Sequence, residues 1–202
     1  MKIGIMGGTF DPIHKGHLML GEYAYQQYDL DEVWFMPNAH PPHKSEKNME
    51  TLTKHRVEMT KLAIEKYDYF KICLYEVEYE GISFSYKTMQ ELKKMYPEDE
   101  FYFIIGADSL FMMEKWRHPE ILLKQCYILA AYRDGKGTAQ MLSQIEYLNH
   151  KFDAKIMLLK TPMVDIASSE IRKKIKENKD LTNDLTEEVI EYINLHQLYK
   201  EV

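Results

Sequence analysis

The residues best suited to chemistry lie together near the N-terminus. A short apolar run empties into Gly7-Gly8-Thr9-Phe10-Asp11-Pro12-Ile13-His14-Lys15-Gly16-His17. Paired glycines at the end of a strand let the backbone turn sharply and approach a ligand closely. The N–H groups of such a loop, with the N-terminus of a following helix, form a site for an anion. His14 and His17 are three residues apart, so at a helix start they share one face. Each can donate an N–H to a phosphate oxygen, more strongly when protonated. Neither of the commoner phosphate loops is present. Gly135-Lys136-Gly137-Thr138 lacks Walker A spacing and a preceding strand, and Gly4-Ile5-Met6-Gly7 is not GxGxxG.

Other candidates lie far along the chain. Ile104-Ile105-Gly106-Ala107-Asp108 ends a strand with a carboxylate, suited to accept hydrogen bonds from ribose hydroxyls, and Trp116 offers an aromatic face to a flat ring. Ser168, Ser169 and Arg172 open a helical pattern, where two hydroxyls and a guanidinium suit outer phosphates, although serines there are also ordinary caps. Pro41-Pro42 fixes an extended loop that sets His43 and Lys44 above the same sheet edge, making Lys44 a candidate phosphate ligand.

These residues need a scaffold, and the hydrophobic pattern predicts one. Apolar runs at 2–6, 32–36, 70–75, 101–105, 127–131 and 155–159 read as strands covered on both faces. Helix-period segments lie between or after them, at 54–66, 86–96, 168–176 and 187–193. Alternation of this kind predicts an α/β fold, a Rossmann-like doubly wound parallel sheet with a helical C-terminal end. With 202 residues and no composition break, residues 1–202 are expected to form a single domain. Ligands then belong in the crevice beyond the carboxyl ends of the strands.

Composition narrows the function classes. A net charge of −6 gives no global field for a nucleic-acid backbone. No stretch approaches the ~18 apolar residues of a membrane span, and the N-terminus lacks an export signal. Cys73 and Cys126 sit singly in apolar runs and read as reduced core residues. A cytoplasmic location is expected.

The Gly8-to-His17 segment resembles the loop of the nucleotidyltransferase superfamily, GxFxPxHxGH, whose members transfer a nucleotidyl group and release pyrophosphate. The resemblance implies that Gly7, Gly8, Thr9, Phe10, His14 and His17 hold a triphosphate. Pro42-His43-Lys44 looks like the acceptor-binding loop of bacterial nicotinate-nucleotide adenylyltransferases, with Lys44 on the acceptor's phosphate. Gly81-Ile82-Ser83-Phe84-Ser85-Tyr86-Lys87-Thr88 is similar to the family's Gly-x-Ser-Tyr-Thr-x-Asp-Thr. It departs at Phe84, Ser85 and Lys87, and the backbone N–H of Ser85 takes the place offered to the pyridine carboxylate. The family likeness puts Gly106 and Asp108 on the ATP side, and Trp116 with the backbone of Arg117 on the pyridine. Ala167-Ser168-Ser169-Glu170-Ile171-Arg172 matches the family's Ser-Ser-Thr-x-Ile-Arg apart from Ala167 and Ser169.

The resemblance therefore implies adenylyl transfer from ATP to nicotinate mononucleotide, with His14, His17 and Arg172 as catalytic residues. Mg²⁺ would arrive with the ATP, and no metal site of the protein's own is expected. Expected partners are the two nucleotides and at most further copies of the chain. Two other readings stand beside it. One is a relative using phosphopantetheine or glycerol phosphate. The other is a metal-binding module built on the pairs His14/His17 and His40/His43, which lack an acidic or Cys companion.

Overall fold

Side chains along each central strand alternate between two separate apolar layers, so the sheet is buried on both faces. Ile3, Ile5, Phe101, Phe103, Ile128 and Ala130 enter one layer. Met6, Val33, Phe35, Tyr102, Ile104 and Leu129 enter the other. This is why the strands read as continuous apolar runs. The computed structural model describes residues 1–39, 49–132, 138–162 and 166–200.

In chain order the elements are β1 (Lys2–Gly8), α1 (Lys15–Gln27), β2 (Glu32–Pro37), α2 (Met49–Ile64), β3 (Phe70–Ile72), α3 (Tyr75–Glu78) and α4 (Ser85–Met95). Then follow β4 (Glu100–Gly106), α5 (Ala107–Met112), a 3-10 turn Met113–Lys115, α6 (Pro119–Gln125) and β5 (Tyr127–Ala131). The chain continues through α7 (Thr138–Phe152), β6 (Ile156–Leu159), α8 (Ser168–Lys176) and α9 (Glu187–Leu195). The six strands are all parallel, in the order β3-β2-β1-β4-β5-β6. Helices α1, α2, α8 and α9 cover one face through Leu18, Met59, Ile171, Ile175, Val189 and Ile193. Helices α4 to α7 cover the other through Met89, Leu92, Leu110, Leu122, Met141 and Leu148. Strand order reverses between β1 and β4, and a ligand crevice opens at such a switch point.

All six expected strands are present, and one is shorter than the apolar run suggests. β3 ends at Ile72 because Tyr75–Glu78 closes into a helical turn, with Glu78 N–H donating to Leu74 O at 3.0 Å. Both cysteines are free, Cys126 buried and Cys73 half-buried. Among the described residues no helix is long and apolar enough to cross a membrane.

Candidate active site

A cavity of about 680 Å³ opens at the carboxyl edge of the sheet, where β1 and β4 diverge. Strands β1 and β4 line it with Met6, Gly7, Gly8, Phe103, Ile104, Ile105 and Gly106. A Cβ built on Gly106 would meet nothing within 4 Å, so this residue borders open space. Over one face of the sheet stand His14, Gly16 and His17 of the α1 start, with Ile166, Ala167 and Ser168 at the α8 start. Over the other stand Glu76, Ser83, Phe84, Ser85, Trp116 and Arg117. Met36 and Asn38 close the β2 side, and Ala131, Tyr132, Thr161 and Pro162 the β5–β6 side.

Gly7 and Gly8 do not form the expected sharp turn. They remain in β1, paired with Met36 and Pro37, because the parallel ladder with β2 runs to its end. The left-handed residue is Phe10, at φ 48°. Gly8 is needed for another reason: a Cβ there would lie 2.8 Å from the Phe10 ring. That ring is 2% exposed and wedged between Phe35 at 6.0 Å and the edge of His17 at 5.0 Å. Phe10 therefore shapes the loop from behind and does not line the cavity.

His14 is the N-cap of α1 and His17 its third residue. Their rings stack at 3.7 Å with 24° between planes. The His14 backbone N–H donates to His17 Nδ1 at 3.3 Å. In the neutral ring this places the His17 proton on Nε2, the nitrogen that can donate outward.

Behind the loop a second set of bonds fixes its path. Ser168 Oγ donates to Pro12 O at 3.0 Å, and Arg172 Nη1 donates to Asp11 O at 2.6 Å with the Asp11 carboxylate 3.7 Å away. Tyr199 donates its hydroxyl to Asp11 Oδ1 at 2.8 Å. Burial, and then the Asp11 charge, push the Tyr199 phenol far above its ordinary range. The Lys15 backbone N–H donates to Asp184 O at 2.8 Å, joining α1 to the segment before α9.

At the other end, buried Glu76 accepts a hydrogen bond from Thr88 Oγ1 at 2.7 Å. Burial raises the Glu76 carboxyl's pKa, and the Thr88 bond partly opposes this. Ser85 begins α4, so its N–H is among those without an intrahelical carbonyl. The Arg117 guanidinium lies 5.0 Å over the Phe84 ring, and Trp116 stands edge-on to Phe103 at 6.4 Å. The backbone N–H of Trp116 is already taken by Met113 O at 3.1 Å. Asn38 Oδ1 and Ser83 Oγ are buried without a partner among the described residues.

Of the sequence candidates, the cavity gathers Gly7, Gly8, Thr9, His14, His17, Ser85, Gly106, Trp116, Arg117 and Ser168. Phe10, Asp108, Ser169 and Arg172 are not in its lining; Asp108 and Ser169 are exposed at helix starts. Pro42, His43 and Lys44 lie outside the described residues, as does His40. Glu76, Asn38 and Ser109 also line the cavity and were not among the sequence candidates. Among the described residues no group of three or more His, Cys, Asp or Glu side chains could hold a metal ion.

The chain is similar over nearly its whole length to known proteins. The family model described as cytidylyltransferase-like matches residues 5–174. A probable nicotinate-nucleotide adenylyltransferase of Lachnoclostridium phytofermentans is 44% identical over 198 residues, 98% of either chain. One of Carboxydothermus hydrogenoformans is 39% identical, again over 98% of both. A solved structure of Plasmodium falciparum nicotinic acid mononucleotide adenylyltransferase complexed with NaAD superimposes with a TM-score of 0.76 at 25% identity. That superposition covers 98% of this chain and 97% of the other.

Proposed function

This chain belongs to the nicotinate-nucleotide adenylyltransferases, and we propose that its cavity transfers the adenylyl group of ATP to nicotinate mononucleotide, releasing pyrophosphate and deamido-NAD. The observation that carries the assignment of roles is the stacked pair His14–His17, set at a helix N-terminus beside a glycine-ended strand at the sheet's switch point. Gly7, Gly8, Thr9, His14 and His17 take the triphosphate, with Ser168 at the start of α8. Gly106 borders the nucleoside of ATP, and Asp108, exposed at the α5 start and outside the cavity lining, reaches it only from the rim. Mg²⁺ enters as part of the substrate, bound to the triphosphate.

The acceptor's phosphate attacks the α-phosphorus, one P–O bond forms, and the bond to pyrophosphate breaks. A phosphate monoester has a second pKa of about 6, so the nucleophile is largely ionised at pH 7 and needs no general base. The protein's task is to align two anions and to stabilise charge on the transferring and leaving groups. His17 Nε2–H and the helix N-terminus act on that charge. Arg172 acts one step back, through Asp11, by fixing the loop. Lys44 and His43, with Pro42, belong to the acceptor's phosphate. The pyridine carboxylate is taken by the main-chain N–H groups of Ser85 and Arg117, with Trp116 against the ring.

The test is pyrophosphate release by the purified chain with Mg-ATP and four acceptors: nicotinate mononucleotide, nicotinamide mononucleotide, phosphopantetheine and glycerol phosphate. Nicotinate mononucleotide is expected to give the highest kcat/KM. A preference for either non-pyridine acceptor would overturn the proposal.

A further inference from the structure

Arg56 lies on α2, outside every motif named above, and is 4% exposed. Its Nη1 donates to the carbonyl oxygen of Thr9. Its Nη2 donates to Asn38 O at 2.6 Å and to Thr53 Oγ1 at 2.9 Å. Asn38 N–H in turn donates to Gly8 O at 3.0 Å. Burial makes the guanidinium's charge costly and lowers its pKa, while Asp11 and Tyr199 push it back up. A planar fork suits this place because two divergent donors reach two fixed acceptors at once.

The two carbonyls belong to different strands' ends, and both Thr9 and Asn38 line the cavity. We propose that Arg56 is a positioning residue for adenylyl transfer, locking the loop after β1 to the loop after β2. The inference rests on the reading above, in which the β1 loop holds the triphosphate and the β2 side faces the acceptor. Each trans peptide unit is rigid, so a carbonyl held toward Arg56 turns the N–H of the next residue the opposite way. One guanidinium thereby sets the orientation of two peptide units and the spacing between donor and acceptor sides. A misplacement of about 1 Å can cost roughly 10²-fold in rate. Ground-state affinity is spread over more contacts and responds less.

The test uses Arg56→Lys, which keeps the charge but replaces the planar fork by a single nitrogen, Arg56→Met, which has similar length and no donor, and Thr53→Val, which removes the third partner. For each, kcat, both KM values and thermal stability are measured, with rates expressed per folded molecule. Arg56→Lys is expected to lose about 10–100-fold in kcat, Arg56→Met more and Thr53→Val a few-fold, while both KM values move less than about threefold. A folded Arg56→Lys protein within twofold of wild-type kcat overturns the inference, even with a lowered Tm, because Arg56 is then only a structural support. A large rise in one KM with kcat retained also overturns it, since the residue then serves one substrate. If neither Arg56 variant folds, Thr53→Val decides, and unchanged kcat there overturns the inference. Wild-type protein inactive with every acceptor would instead strike the functional reading.

Discussion

His17 receives its tautomer from the backbone, because the N–H of His14 points at Nδ1 and leaves Nε2 as the donor. A donor aimed at developing charge acts mainly in the transition state, and loss of one such donor costs about 10²–10³ in kcat. His17→Ala is therefore expected to fall by that factor with a small change in KM for ATP; near wild-type turnover would remove the residue from the mechanism. Acid should be preferred to amide. In the proposed pocket a carboxylate would accept from both the Ser85 and Arg117 N–H groups, whereas a carboxamide would have to turn its own NH₂ toward one of them. One lost charge-assisted bond is worth roughly 1.5–3 kcal/mol, about tenfold to a few hundredfold in kcat/KM between the two mononucleotides. Equal values would dismiss the carboxylate pocket and leave the transfer chemistry standing. Glu76 gives a pH signature. Its carboxyl titrates above the ordinary value in the folded protein, so its stabilising contribution is present at low pH and fades as pH rises past about 4.5. Glu76→Gln keeps an acceptor for Thr88 and cannot ionise. Urea melts should show its stability relative to wild type rising between pH 4.5 and 8; a constant difference would place the ionised form in the native state at no cost. Glu76 was not legible beforehand, because it stands among Glu78 and Glu80 with nothing to distinguish a buried acid from exposed ones.

The strands and the start of α1 were legible because burial on both sheet faces leaves unbroken apolar runs, and because His14 and Gly16 break that pattern abruptly. What the run at 70–75 could not reveal was its end. Cys73 and Leu74 are as apolar as a strand requires, yet the chain turns there into α3. The contacts of Arg56 and Tyr199 were hidden for a different reason, although Leu198-Tyr199 is similar to the family's tail. Arg56 sits in an ordinary amphipathic helix and Tyr199 near the chain's end, and each acts through a partner far away in sequence. The Ser168 and Arg172 spacing was visible, but that their bonds run to the carbonyls of Pro12 and Asp11 was not. These contacts make α8 and the tail a brace for the β1 loop. Tyr199→Phe removes one hydrogen bond to a carboxylate, and a loss of about 1.5–3 kcal/mol in chemical denaturation is expected. A drop in kcat should accompany it, larger than any change in KM. Unaltered stability and rate would release the tail from this role.

Sheet, helices and tail form two apolar layers that also hold ionisable groups in their neutral forms. Burial pushes the Cys126 thiol up to about 12 and, with Glu100 nearby, the Tyr102 phenol to about 12. Tyr199 shifts in the same direction. Each contributes stability that is complete below its unfolded pKa, near 9 for the thiol and 10 for the phenols, and is lost as pH climbs toward the folded value. The free energy of unfolding should therefore fall from about pH 9 upward, by up to roughly 1.4 kcal/mol per pH unit for each group engaged. Equilibrium denaturation at pH 8, 9.5 and 11 measures the slope, and Tyr102→Phe should reduce it between the last two points. A flat profile would mean these groups ionise in place.

The bond between Asp11 and Tyr199 spans 188 positions of the chain. Ribosomes add about 5–20 residues per second, so Asp11 is joined to the chain roughly 10–40 s before Tyr199. For most of that interval the nascent polypeptide holds Arg56 but lacks Ser168, Arg172 and Tyr199, the other residues that set the loop's path. A chain cut before Ser168 is therefore expected to turn over more slowly than the full sequence, its β1 loop held by Arg56 without the bonds from α8 and the tail, and pyrophosphate release by the two measures the difference.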